Sequence, residues 1–244
     1  GILLWFIIRK EKTLQMRLKD FRRKDWKLTK DFLKVGIPIV AHEMIWSAGT
    51  TAGSSITGQM STTIVAGYNV ANAMYQLMAC TMNGILHACS VTIGKTIGSG
   101  ASREEIQREA YSLILIGLVG GSVLGMLTLL GGDLFISFYS LTDATRAFAK
   151  GFIAIFAAIW PFSGMEMTGM IAVLRAGGDG KTGFISDIFT MWIFTIPLAA
   201  AGAFMWDFSP YVIIGIIKFN IVLEALVGIW RIRSMKWIRN LTAA

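Results

Sequence analysis

Two carboxylates stand out for where they lie. Glu43 falls within VGIPIVAHEMIWSAGTTAGSSITG, residues 35–58, and from Val35 to Gly94 no other Asp, Glu, Lys or Arg occurs. Glu166 lies in a similar apolar run, nine residues before Arg175, and Glu43 lies nine residues after Lys34. Nine helical residues rise roughly 13 Å. If the first and fourth segments cross in opposite directions, both acids reach a similar depth near the bilayer midplane. An acid at that depth costs about 2.5–3.5 kcal/mol on insertion scales, so it calls for a partner or a function. Protonation, or a hydrogen bond to a neighbouring helix, is one answer. The other is an ion or proton site in a polar cavity. A carboxyl held out of water gains from taking up H⁺, and paired carboxylates with hydroxyl and carbonyl oxygens suit a hard cation such as Na⁺.

Other polar groups share this zone. Tyr68, Asn69, Asn72, Tyr75, Gln76 and Asn83 occur in the second apolar segment, with 69, 72 and 76 at the 3–4 spacing of one helix face. Tyr68, Asn72, Tyr75 and Gln76 would line a wet stripe that holds a cationic ligand by cation–π contact. The same residues would serve equally well as interhelical hydrogen-bonding groups. Asp187, Lys218 and Glu224 are further intramembrane charges. Lys218 and Glu224 are six apart, off one another's face, so Lys218 is expected to bond to another helix or to snorkel.

Several apparent motifs fail. HEMIW at 42–46 has Trp where a zincin helix needs its second His. GKT occurs at 94–96 and 180–182, but Cys89 and Arg175 stand where a phosphate-binding loop needs its first Gly. His42 and His87 read as hydrogen-bonded helix residues. Cys80 and Cys89, nine apart, point to opposite sides of a helix and read as two buried thiols. No nucleophile–base or metal constellation appears, which argues against an enzyme and against any resident cofactor.

The elements that must hold these groups are membrane helices. The 244 residues are 54 % hydrophobic and only 16 % charged, against about 25 % charged in soluble domains. Six apolar segments, at about 32–57, 65–94, 108–131, 147–174, 182–206 and 210–230, approach or exceed the ~20 residues needed to cross hydrocarbon. Alternation typical of barrel strands is missing, so all six read as helices. Pro38, Pro161 and Pro197 fall inside them as kinks, and the first two, close to a buried acid, are hinge candidates. Gly-rich runs such as GLVGGSVLG allow close helix packing.

The net charge of +8 belongs to topology rather than to nucleic acid. Twenty of the 23 Lys/Arg fall in connections on one side of the predicted membrane, eleven of them in residues 9–34. Only Arg146 and Lys150 fall on the other side. By the positive-inside rule both ends are cytoplasmic. Residues 1–8 read as the end of a preceding membrane helix, 9–31 as a basic membrane-surface linker, and 32–244 as a six-helix bundle. NLT at 240–242 is a formal glycosylation sequon on the cytoplasmic side.

Three ordered stretches resemble the second half of a MATE (multidrug and toxic compound extrusion) transporter. They are FLKVGIPIVAHEMIWSAGTT, MNGILHACSVTIGKTIGSGASREEIQREA and GMIAVLRAGGDGKTGF. The likeness covers essentially the whole chain. It implies one lobe of a twelve-helix transporter that exports organic cations in exchange for Na⁺ or H⁺ by alternating access, in a bacterial plasma membrane. A second, N-terminal six-helix lobe would be its partner. In that frame Glu43 matches an acid often found in the first helix of this lobe, Glu166 falls near the acid of its fourth helix, and Tyr75 lies about where some relatives place a cation-contacting Tyr. Gly180 stands where the family usually has Thr after Gly-Gly-Asp. The alternatives are a flippase of lipid-linked oligosaccharides within the same superfamily, and a non-transporting membrane scaffold or channel subunit. Four intramembrane acids against one Lys disfavour a pyrophosphate-binding cavity.

Overall fold

A computed structural model describes residues 26–238. Residues 1–25, with most of the basic linker, and the sequon at 240–242 lie outside the described residues. The chain divides into two units at Ile37/Pro38, and apart from the bounds of the first helix everything below concerns the second, from Pro38 onward.

Six helices account for the described chain: α1 (Trp26–Gly58), α2 (Thr62–Gly98), α3 (Arg103–Ser137), α4 (Asp143–Leu174), α5 (Gly180–Phe204) and α6 (Pro210–Arg233). They match the six expected segments, and most run several residues further at their ends. Two of the extensions, at the starts of α3 and α4, begin at polar caps that a hydropathy reading misses. Ser102 accepts from the Glu105 backbone N–H while the Glu105 carboxylate accepts from Ser102 N–H, a reciprocal capping box that starts α3. Thr142 caps α4 in the same manner, accepting from Thr145 N–H.

Helices α2 to α6 are each long and apolar enough to span a membrane. The first helix is not among the five: His42, Glu43 and the Ser/Thr/Gly-rich run after Trp46 dilute its apolar residues.

The core sits where α2, α3, α4 and α6 converge. Phe152, Phe156, Met74, Ile136 and Ile214 fill one end, and Leu86, Ile93, Ile106, Leu113, Val173 and Ile232 the other. Trp160, with Met82 and Leu124, joins them at mid-length. Of all pairs, α3 and α4 pack most extensively. Gly117, Gly121 and Gly125 recur every fourth residue on the α3 face that meets α4. A Cβ there would press on the carbonyl oxygens of Gly164, Trp160 and Ala157 respectively. Pro161 cannot donate to the Ala157 carbonyl four residues back, and Gly125 is the residue that approaches that freed oxygen. The GLVGGSVLG run is therefore a seam for backbone contact.

Cys89 is buried as expected, whereas Cys80 is exposed. Nine residues place the two on opposite faces of α2, and only one of those faces meets the core.

The α4–α5 turn explains the glycines of LRAGGDG. Gly178 adopts φ 85°, and Asp179 N–H donates to the Leu174 carbonyl, closing the end of α4. A Cβ on Gly177 would strike the indole of Trp237. Asp179 is buried and accepts from Arg231 Nε at 2.6 Å and from Thr182 Oγ1 at 2.8 Å, tying the turn to the end of α6.

Candidate functional site: an acidic network at two helix breaks

Two helices change their winding at an acidic residue. Residues Asp143–Glu166 of α4 are α-helical and Met167–Leu174 are π-helical. Residues Gly180–Asp187 of α5 are α-helical and Ile188–Thr195 are π-helical, before the α-helix resumes at Ile196. Glu166 and Asp187 are thus the last α-helical residues before each break. Pro197 directly follows the α5 π-stretch, and having no N–H it cannot continue that hydrogen-bond ladder. A π-helical turn shifts the hydrogen-bond ladder and is common at functional sites.

The acids near these breaks form one network with α1 and α6. Arg175, at the end of the α4 π-stretch, donates from Nη2 to Glu43 Oε1 at 2.7 Å. Glu166 interacts electrostatically with Asp187, Arg175, His42 and Glu43. His42 Nδ1 on α1 stands 3.0 Å from Asp187 Oδ2. Asp187 on α5 and Glu224 on α6 interact electrostatically. Glu224 Oε1 accepts from Asn220 Nδ2 at 2.7 Å and from Thr190 Oγ1 at 3.2 Å. Asp187, Glu224 and Asn220 are buried, Glu166 is half-buried and Glu43 is exposed.

The local sequence sets up this meeting. Gly183 leaves room for the His42 ring, since a Cβ there would sit 3.1 Å from it. Gly49 does the same for the Met191 side chain, and Trp192 Nε1 donates to the Ile45 carbonyl at 3.2 Å. Asn220 and Glu224 are four apart and therefore share one face of α6. An open, shallow groove of about 640 Å³ lies along one face of α1, with all its lining from that helix: Glu43 with Val40, Met44, Ser47 and Thr51 among others. Glu43 therefore stands between an open groove and the buried acids.

The other expected site residues lie elsewhere. Tyr75 stacks on Trp160 with centroids 4.5 Å apart, and its hydroxyl is 3.1 Å from Ser163 Oγ. Tyr68 is edge-on to Phe152 and Phe156. Both are half-buried; Asn72 is intermediate, Gln76 is exposed, and none of the four lines the α1 groove. Lys218 Nζ lies over the Tyr75 ring at 4.5 Å and the Phe156 ring at 4.7 Å, so it reaches other helices rather than Glu224. His87 is exposed on α2.

Sequence reasoning missed Arg175 and His42. In the sequence Arg175 is only a charge of the α4–α5 connection, yet it is the direct partner of Glu43. His42 reads in the sequence as a hydrogen-bonded helix residue, and the structure sets it 3.0 Å from the Asp187 carboxylate. Its position next to Glu43 was the available signal: adjacent helix residues point about 100° apart, so one can face the groove while the other faces α5.

The MatE family model matches residues 38–201. The chain belongs to the MatE family. That family consists of transporters, not enzymes. Among curated relatives, the chain is 22 % identical over 194 residues to the multidrug resistance protein MdtK of Yersinia pestis (strain Pestoides F), covering 79 % of this chain and 42 % of that protein. It is 24 % identical over 219 residues to the probable multidrug resistance protein NorM of Xanthomonas campestris pv. campestris, covering 89 % and 47 %. This MatE chain thus spans about half the length of the curated relatives it matches. A crystal structure of MATE in the straight conformation superposes with a TM-score of 0.79 at 16 % identity, over 96 % of this chain and 53 % of that one. The eukaryotic MATE transporter AtDTX14 gives 0.79 at 15 %, over 97 % and 52 %. These likenesses establish the fold: a six-helix MATE lobe, all-α, in a multi-pass membrane protein.

Proposed function

We propose that this chain is the C-terminal lobe of a secondary antiporter that exports organic cations and drugs in exchange for H⁺ or Na⁺ by alternating access. Its partner is an N-terminal six-helix lobe, and the pair sits in a bacterial plasma membrane with both ends of this segment cytoplasmic. The observation that carries the reading is the acidic network of Glu43, Glu166, Asp187 and Glu224 at two helix breaks. Membrane-buried acids of this kind mark ion pathways. Interrupted helices are where transporters place their ion sites.

The mechanism follows from electrostatics. Glu43 and Arg175 neutralise each other, which leaves the negative charge of Glu166 to be met by an exchangeable ion. Binding H⁺ or Na⁺ at Glu166 removes the charge that draws Arg175 inward and frees Arg175 to hold Glu43 more tightly. Release of the ion restores the pull. An organic cation in the groove competes for the Glu43 carboxylate by the same Coulomb attraction. The bound ion and the drug thereby exclude one another, as exchange requires.

The test is ethidium efflux by the intact transporter in vesicles. Glu166→Gln is expected to lower the efflux rate at least tenfold while the protein remains folded and inserted. Glu43→Gln, which keeps the shape of the side chain and removes the charge that Arg175 meets, is expected to behave likewise. Parental efflux in both variants would overturn the reading and leave these acids a structural role.

A further inference from the structure

The end of the bundle away from the α4–α5 turn carries charges on an apolar face. Asp133 lies four residues before the end of α3 and Lys150 seven after the start of α4, about 6 and 10 Å in from those helix ends. Lys150 Nζ stands 2.7 Å from Asp133 Oδ1, and the two side chains are 52 % and 75 % exposed. Around Asp133, Leu129, Leu130 and Leu134 are exposed as well. Among the described residues neither Asp133 nor Lys150 has another polar partner. Arg146, four residues before Lys150 and so on the same face of α4, is exposed and pairs with no carboxylate among the described residues. Arg146 and Lys150 are the two Lys/Arg that the sequence assigns to this side of the predicted membrane.

The Asp133–Lys150 pair borders a cleft of about 170 Å³ between α3 and α4, walled by Leu129, Gly132, Ile153 and Ala154 among others. That is the space of roughly five or six waters, enough for a small polar group. Gly132 brings the walls together, since a Cβ there would lie 3.0 Å from the Ile153 side chain. An exposed ion pair contributes little to stability, so this one calls for another role. Its depth suggests which. With 35 residues α3 is about 50 Å long, whereas the hydrocarbon core is about 30 Å thick and the headgroups extend it to about 40–45 Å. A centred α3 puts Asp133 at headgroup level. Leu129 and Leu130, one turn deeper, then lie among acyl chains, which are as apolar as leucine.

We infer that Asp133, Lys150 and Arg146 bind the headgroup of a zwitterionic phospholipid with a primary ammonium, of the phosphatidylethanolamine type, whose acyl chain runs along the exposed leucines of α3. The phosphate accepts N–H bonds from Lys150 and Arg146, and the ammonium donates to Asp133 Oδ2. Inorganic phosphate would meet the two cations and leave Asp133 and the apolar wall unused. Choline has no N–H and cannot donate to Asp133. An anionic lipid brings a phosphate but no cation for the carboxylate. None of these three residues takes part in the ion exchange at Glu43 and Glu166, so the site stands whether or not the antiporter reading holds.

The experiment is native mass spectrometry of the purified intact transporter, titrated with dioleoyl phosphatidylethanolamine, phosphatidylcholine or phosphatidylglycerol. Phosphatidylethanolamine is expected to bind about tenfold more tightly than the other two, the effect of one charge-assisted hydrogen bond. Asp133→Asn and Lys150→Met should each weaken it about tenfold for the same reason, and Asp133→Asn should leave phosphatidylglycerol binding unchanged. Millimolar phosphoethanolamine, the headgroup alone, should not displace the lipid. Because the pair is exposed, both variants should melt within a few degrees of the parent in lipid-free detergent. Equal binding of the three lipids, or phosphatidylethanolamine binding unchanged in both variants, overturns the inference. So does displacement by phosphoethanolamine, which would make this a site for a free headgroup. A melting loss above about 10 °C in either variant also overturns it, since the pair would then be buried against another part of the transporter.

Discussion

The α3–α4 seam yields a prediction whose sign depends on tertiary structure. In Gly121→Ala the new Cβ would press on the Trp160 carbonyl oxygen, a backbone atom of α4 that no rotamer change can move. The helices must separate locally, and overpacking of this kind costs about 1–3 kcal/mol. Against that, Ala is favoured over Gly inside a helix by about 0.5–1 kcal/mol. The net loss is about 0–2.5 kcal/mol, up to ~10 °C in melting temperature for a chain of this size. Gly94→Ala on α2 is the control, because a Cβ there meets nothing within 4 Å. It keeps the propensity gain alone and should raise the melting temperature by ~1–4 °C. Adding Gly117→Ala to Gly121→Ala should cost less than the sum of the two, since both push the same helix aside. The assay is thermal unfolding of the intact transporter in detergent, followed by intrinsic fluorescence. If Gly121→Ala melts at or above Gly94→Ala, the backbone-contact seam is refuted.

Other substitutions test separate contacts. Asp179→Ala removes the buried carboxylate that Arg231 and Thr182 bind, and it should destabilise by about 3 kcal/mol because a mostly buried guanidinium loses its partner; denaturant unfolding measures it. Tyr75→Phe deletes the hydroxyl bonded to Ser163, leaves the ring stack on Trp160, and should cost about 1 kcal/mol in the same assay. Lys218→Met keeps the stem volume and removes an ammonium that pairs with no carboxylate among the described residues. Its midpoint should rise, since two ring faces offset only about 2 kcal/mol of the desolvation cost; a fall would mean that the cation–π contacts dominate. Ser102→Ala breaks the capping box of α3 and should cost about 1 kcal/mol, read as faster amide exchange in the first turn of that helix.

The helices and their order were legible in the sequence because each rests on local information. A run of ~20 apolar residues is a helix in lipid whatever its neighbours are, and caps such as Ser102 with Glu105 act within four residues. The candidate site was legible in part for the same reason: Glu43, Glu166, Asp187 and Glu224 are conspicuous as charges in apolar runs. Which of them meet was not. Glu43 finds Arg175 across 132 positions of chain and Thr190 finds Glu224 across 34. Such pairs depend on helix rotation, on the two π-helical stretches that turn α4 and α5, and on glycines that set how near the backbones come. A shift in winding of one residue rotates a helix by about 100°, enough to turn a side chain from lipid to core. The sequence therefore determined that charges are buried in this membrane lobe. Only packing decided that Arg175 stands beside Glu43 and His42 beside Asp187.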